Sequence, residues 1–263
     1  MLVKIASINS FAILVRIVSG FLTSKAIAIF VGPEGMALVG NLRNFLSSAQ
    51  AFSTFGFSNG IVKYVSEFKD KTVALSKTIS TAFFVGILST IVVSLYSFLD
   101  AQRLNDLIFT SKSDYAYIIK ILAIALPLYA LNAFLLAVVN GLSQFKKLLY
   151  INIVAQLFGM LITLYLIWQH QLQGALVAVA IVESLVFLIT LIGVYNQKHI
   201  LKLIHWKNLN VESFKKLGAF SLMALFTAVA LPLVTVGIRN YIIDTQGQYN
   251  AGLWEAMNRI SSF

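Results

Sequence analysis

The chain has 263 residues, 59% of them hydrophobic and 11% charged, with a formal net charge of +10 and a mean hydropathy of +0.84. Soluble domains are about 45–50% apolar and about 25% charged, so the composition excludes a soluble globular protein and predicts an all-α polytopic membrane protein. The chain has no cysteine, which excludes a disulfide framework and a thiolate metal site; no metal and no cofactor is expected.

A helix needs about 20 apolar residues to cross the hydrocarbon core. The first such stretch, residues 8–31, is too long for a cleaved signal peptide and is interrupted by Arg16, so it reads as a retained span. The second covers residues 36–65 and the third 78–99. The fourth covers 115–140, the fifth 149–169, the sixth 174–195 and the seventh 217–243. An eighth begins near Tyr249. A helix cannot end in mid-bilayer with its last carbonyls unpaired, so the chain is expected to be the front part of a longer protein.

Lysine and arginine in the connections set orientation. The N-terminus and the connections on its side hold Lys4, Lys63, Lys69, Lys71, Lys77, Lys146, Lys147, Lys198, Lys202, Lys207, Lys215 and Lys216; the other side holds Arg103 and Lys112. Twelve against two predicts a cytoplasmic N-terminus. The net charge is then a topology signal with an attraction to the anionic leaflet, and no nucleic-acid partner is expected. Between the sixth and seventh spans, NQKHILKLIHWKNLNVESFKK mixes apolar residues with lysines and suits a short helix in the headgroup region. His199 and His205 there read as solvated, not as metal ligands.

Charges inside spans are costly and usually face a bundle interior or a hydrated cavity. Those singled out are Arg16, Lys25, Arg43, Glu183 and Arg239. At about 100° per residue, Arg43, Ser47, Gln50, Thr54 and Ser58 form one strip of the second span, with Asn41, Asn44 and Ser48 on its flank. Such an arc predicts the wall of a hydrated cavity, opposite Phe45, Leu46, Phe52 and Phe57. Small and amide residues also serve plain helix packing, but packing does not require an arginine. Arg16 and Lys25 lie on opposite faces of an ideal helix. Lys25 reaches the same cavity if the helix bends at Ser19-Gly20, and otherwise snorkels to the headgroups.

Stacked cations suit an anion, and the guanidinium fork suits phosphate oxygens. Glu183 is either a protonatable group for ion coupling or a structural partner for Arg16, Arg43, Gln156 or Asn140. Pro127 and Pro232 provide bending points in the fourth and seventh spans.

FVGPEGMALVGNLRNF, followed by FGFSNGIVKYVSEF, FSLMALFTAVALPLV and AGLWEAMNRISSF, resembles the Wzx-type O-antigen and enterobacterial common antigen flippases of bacterial inner membranes, within the multidrug/oligosaccharidyl-lipid/polysaccharide exporter superfamily. The resemblance implies two six-helix lobes around a cavity. Residues 1–196 would be the first lobe, 197–216 a cytoplasmic connection and 217–263 the opening of the second. It implies transport of an undecaprenyl-diphosphate-linked oligosaccharide from the cytoplasmic to the periplasmic leaflet, beside a polysaccharide polymerase and a chain-length regulator, and no enzymatic activity. Arg16, Lys25 and Arg43 meet the family's basic positions in the first two spans, Lys63 the lysine of its G-[IV]-x-K-Y-V end of the second span, and Arg259 adds a cation from the eighth span. Asn41, Asn44 and Gln50 join them as candidate substrate contacts. Glu183 matches no family position. A drug or cation exporter predicts intramembrane acids where this chain has cations, and an enzyme of glycan assembly predicts a reactive cluster in a large loop.

Overall fold

The computed structural model describes residues 2–109, 114–195 and 203–261, and among these the regular structure is helical with no strand. Helix α1 (Leu2–Phe30) turns at Val31 into α2 (Gly32–Ser53). Gly32 sits at φ 78°, in the left-handed region that glycine enters freely. Pro33 follows in the first turn of α2, where a missing N–H breaks no helical bond.

The second span is not the unbroken helix expected over 36–65. Helix α2 stops at Ser53 and α3 (Ser58–Phe68) starts after four residues, two of which, Phe55 and Gly56, have φ of 51° and 65°. Periodicity hid the break because polar and apolar residues keep their helical spacing through it. Backbone freed inside a membrane must find partners in the protein. Ser89 Oγ donates to the Phe52 carbonyl at 2.5 Å and Thr90 Oγ1 to that of Ser53 at 2.7 Å. Ser221 Oγ donates to Phe55 O.

Both of the first two donors lie on α4 (Thr72–Leu99), so α4 acts as the cap of α2. Interhelical hydrogen bonds in membranes contribute on average about 0.6 kcal/mol each. Removing both with Ser89→Ala and Thr90→Val is expected to lower the melting temperature of the purified protein by about 2–4 °C. Calorimetry or a tryptophan-fluorescence melt reads the shift.

Beyond α4, the connection that carries Arg103 contains a short helix, α5 (Ala101–Ile108), with Leu104 and Ile108 buried. Helix α6 (Ala116–Gly141) runs through Pro127. Helix α7 (Phe145–Val194) is a hairpin, not a rod: Gln171 leaves helical geometry at φ 46° and ψ −118°. Its two arms meet closely at glycine, Gly159 lying against Val182 and Gly193 against Ile151. The arms are the expected fifth and sixth spans.

The part of the sixth-to-seventh connection at 196–202 lies outside the described residues. Its described remainder holds a 3-10 turn, Trp206–Asn208. Hydroxyls of α4 hold it: Ser76 Oγ donates to Leu203 O at 2.6 Å, and Asn208 Nδ2 donates to Ser76 Oγ at 2.7 Å. Trp206 rests edge-on against Phe84. Asn210 then caps α8 (Val211–Gln246), accepting from Ser213 N at 3.0 Å. Helix α9 (Gln248–Ser261) follows Gly247, at φ 88°.

Two apolar clusters support this arrangement. One joins α1, α2, α5, α6 and α7 through Leu42, Ile119, Leu122 and Leu176; the other joins α3, α4, α6, α7 and α8 through Phe57, Ile79, Val138 and Leu217. Helices α1, α4, α6, α7 and α8 are long and apolar enough to cross a membrane. Their exposed residues, including Phe11, Leu14, Leu95, Trp168, Phe226 and Leu233, present the apolar surface a bilayer requires. The chain is a multi-pass membrane protein.

Candidate functional site

A cavity of about 610 Å³ lies among α1, α2, α6 and the two arms of α7, within the range of about 300–1,000 Å³ of small-ligand pockets. Helical spacing puts its walls together. Asn9, Arg16, Gly20 and Thr23 share one face of α1, while Asn152, Gln156, Gly159 and Thr163 share one face of the first arm of α7, because residues three, four or seven apart align on a helix. Glu183 comes from the second arm, Asn132 from α6, and Arg43 from α2. Asn132 is held by Thr190, whose hydroxyl donates to Asn132 Oδ1 at 2.6 Å.

Arg16, Arg43 and Glu183 are the charged residues of this wall. The ion pairs among the described residues are Arg103–Asp100, Lys216–Glu212 and Arg239–Glu255. Neither cavity arginine is in one. The cavity therefore offers two guanidinium forks, a ring of amides and one carboxylate. This combination can hold a polyanion by charge and by hydrogen bonds.

Helix α2 does not present its polar residues to this cavity as one strip. It contributes Arg43 together with Leu46, which periodicity placed on the opposite face. Thr54, in the break, and Ser58, just beyond it, line a separate apolar crevice of about 200 Å³ with Phe83, Pro127 and Phe134. Asn41 and Ser48 face α8: Asn41 accepts from Arg239, and Ser48 Oγ donates to Ala228 O at 2.7 Å. The reason is angular, since Asn41 stands about 160° round the helix from Arg43. Asn44 and Gln50 are part-buried, and their side-chain nitrogens have no hydrogen-bond partner among the described residues.

Helix α1 runs without interruption, so Lys25 stays on the face opposite Arg16 and is exposed, away from the cavity wall. Lys63 lies on α3, its Nζ 5.1 Å from the Tyr64 ring and 4.9 Å from that of Phe220. The expected contribution of Arg259 lies outside the described side chains.

Sequence reasoning passed over Asn9, Asn132 and Asn152, each a lone amide on a different helix. The signal was available: an amide inside an apolar span needs a polar neighbour, and three of them on different helices point to one polar space, which Asn132 enters buried and Asn9 and Asn152 line with exposed side chains. Glu255 was also passed over, because the stretch around it reads as amphipathic.

A family profile described as polysaccharide biosynthesis protein matches residues 2–263. The chain is 25% identical over 252 residues to proteins named Lipid III flippase from Escherichia coli (strain K12) and from Shigella flexneri, a match covering 94% of this chain and 59% of each relative. It thus spans 59% of the length of these curated relatives. Among solved structures, an inward-facing multidrug resistance MATE family transporter of the MOP superfamily superposes with a TM-score of 0.69 at 13% identity, covering 94% of this chain and 58% of that one. That likeness concerns the fold alone.

Proposed function

Because the chain belongs to the polysaccharide biosynthesis protein family, we propose that it takes part in flipping an undecaprenyl-diphosphate-linked oligosaccharide, an O-antigen or related surface-polysaccharide unit. The movement runs from the cytoplasmic to the periplasmic leaflet of the bacterial inner membrane by alternating access. The N-terminus is cytoplasmic, residues 1–196 are the first lobe, 197–216 the connection and 217–263 the start of the second. A polymerase and a chain-length regulator work downstream.

The observation that supports this reading is the pair of arginines, Arg16 and Arg43, facing one cavity with no carboxylate in ion-pair contact. A diphosphate supplies the missing negative charge, and the amides around it have donors for phosphate and sugar oxygens. Lys25 and Lys63, set apart from the cavity, gather the anionic headgroup at the two ends of its path. Asn44, Gln50 and Arg259 complete the contacts to the glycan. A cation exporter fits less well, because the cavity has more arginine than acid.

Glu183 regulates the site in this reading. Ionised, it cancels one arginine; protonated, it leaves both for the ligand. Anion binding and proton binding therefore favour each other. Inorganic diphosphate should bind the purified protein more tightly as pH falls. Glu183→Gln should bind about 10-fold more tightly at neutral pH, for a coupling of about 1.4 kcal/mol, and keep only the pH dependence that comes from protonation of diphosphate itself, while turnover slows because release does. Calorimetric titration from pH 5 to 8 tests it; binding indifferent to both pH and Glu183→Gln contradicts the reading.

A further inference from the structure

Outside the cavity, the described residues hold one buried ion pair, and it joins three helices. Arg239 is 1% exposed. Its Nη1 donates to Asn41 Oδ1 on α2 and its Nη2 to Glu255 Oε2 on α9, and its Cζ lies 5.6 Å from the centre of the Trp254 ring. We propose that Asn41, Arg239 and Glu255 form a clasp closing the Pro33 end of the seam between α2 and the pair α8–α9, and that this clasp parts when the seam opens at that end.

Three observations support a contact that opens over a permanent joint. First, its polar groups are only partly used. Arg239 Nε, Asn41 Nδ2, Asn44 Nδ2 and Asn240 Oδ1 are buried without a hydrogen-bond partner among the described residues. A static joint at this depth would satisfy them. In an opened seam they meet water or the hydroxyls of a glycan.

Second, the surfaces that meet are flush and separable. The Glu255 carboxyl rests on Gly40, where a Cβ would fall 2.6 Å from its Cδ, and Gly252 rests on the Pro33 backbone. Helices touching through glycine move apart as rigid bodies without unthreading side chains.

Third, the other end of the seam is held by different means. There Phe55 and Phe57 pack on Phe214, Tyr64 packs on Phe220, and Leu217 is fully buried. Apolar contacts of this kind are non-directional and tolerate a small rotation. A charged pair has one geometry and acts as a latch. One end of the seam is thus a pivot and the other a clasp.

The inference rests on the transport reading only for the purpose of the opening, and its test needs no substrate. The chain has no cysteine, so single reporters are clean. Ala37→Cys lies one turn from Gly40 on α2, and Ala251→Cys lies one turn from Glu255 on α9; both parent side chains are 0% exposed. A membrane-impermeant maleimide added from the Pro33 side should label either reporter slowly. In Glu255→Gln or Arg239→Gln backgrounds labelling should rise about 10-fold, as a two-state seam shifts toward its open form. The reversed pair, Arg239→Glu with Glu255→Arg, should return it toward the slow rate.

A third reporter, Leu122→Cys in the core of the first six spans, 0% exposed, should stay unlabelled throughout. Unchanged labelling of Ala37→Cys and Ala251→Cys in both single variants overturns the clasp. So does a parallel rise at Leu122→Cys, which would make the pair a part of the fold and not a latch. A variant that opens the seam and still fails to transport leaves the clasp intact and counts against the flippase reading alone.

Discussion

Arg43→Ala is expected to abolish complementation of a flippase-null strain while the protein still inserts and accumulates in the membrane. The expectation follows from charge and position. Arg43 lines the cavity beside Arg16, stands on the same wall system as Glu183, and has no ion-pair partner among the described residues. Removing one partner of a desolvated, hydrogen-bonded charge pair costs about 2–5 kcal/mol, so transport should fall about 30-fold or more. Arg43→Lys keeps the charge and loses the fork, and it should retain a measurable fraction of activity. Immunoblotting of membranes beside the complementation assay separates lost transport from lost protein; full complementation by Arg43→Ala would remove the anion site.

The second large effect is on stability, at the place where the first hairpin meets the last helix. A Cβ on Gly252 would fall 1.8 Å from the Pro33 carbonyl oxygen and 2.3 Å from its carbon. Both are backbone atoms in the turn that ends α1 and starts α2, and neither moves aside as a flexible side chain would. Gly252→Val therefore forces the two helices apart. Overpacking costs about 1–3 kcal/mol even where side chains can shift, and the value here should lie at or above that range. The expected result is a clear loss of folded yield and a melting temperature lower by about 6 °C or more. Gly218→Ala is the control, since nothing lies within 4 Å of its added Cβ and alanine favours a helix over glycine by about 0.5–1 kcal/mol.

Hydropathy and connection chemistry made most of the spans legible. The reversal inside α7 was readable because HQLQG interrupts an apolar run, and the structure turns at Gln171 within it. The break after Ser53 was not readable in the same way. Phe55 and Gly56 keep the apolar periodicity of an unbroken helix, and the hydroxyls that satisfy the freed carbonyls come from Ser89, Thr90 and Ser221, 37 to 166 residues away in the chain. Such partners exist only in the folded state.

The same distinction divides the site. Arg16, Arg43 and Glu183 could be picked out singly because charge at hydrocarbon depth is rare, and folding brings them to one cavity. Which helix face they share it with could not be read. Leu46 joins Arg43 on the wall, while Asn41 turns to Arg239 and Glu255. A wheel drawn for one helix shows the relative angles of its residues, but the choice of neighbour for each face belongs to the packing of α7 on one side and of α8 and α9 on the other.

The family match and the two arginines facing one cavity support the proposal that the chain handles the diphosphate of a lipid carrier. Flipping of a fluorescent polyprenyl-diphosphate-linked glycan in proteoliposomes, measured by loss of access to a membrane-impermeant quencher, tests it most directly. Transport by the parent protein, none by Arg43→Ala, and competition by inorganic diphosphate but not by a cationic amphiphile are expected. Equal transport by Arg43→Ala, or competition by the cation alone, would contradict it.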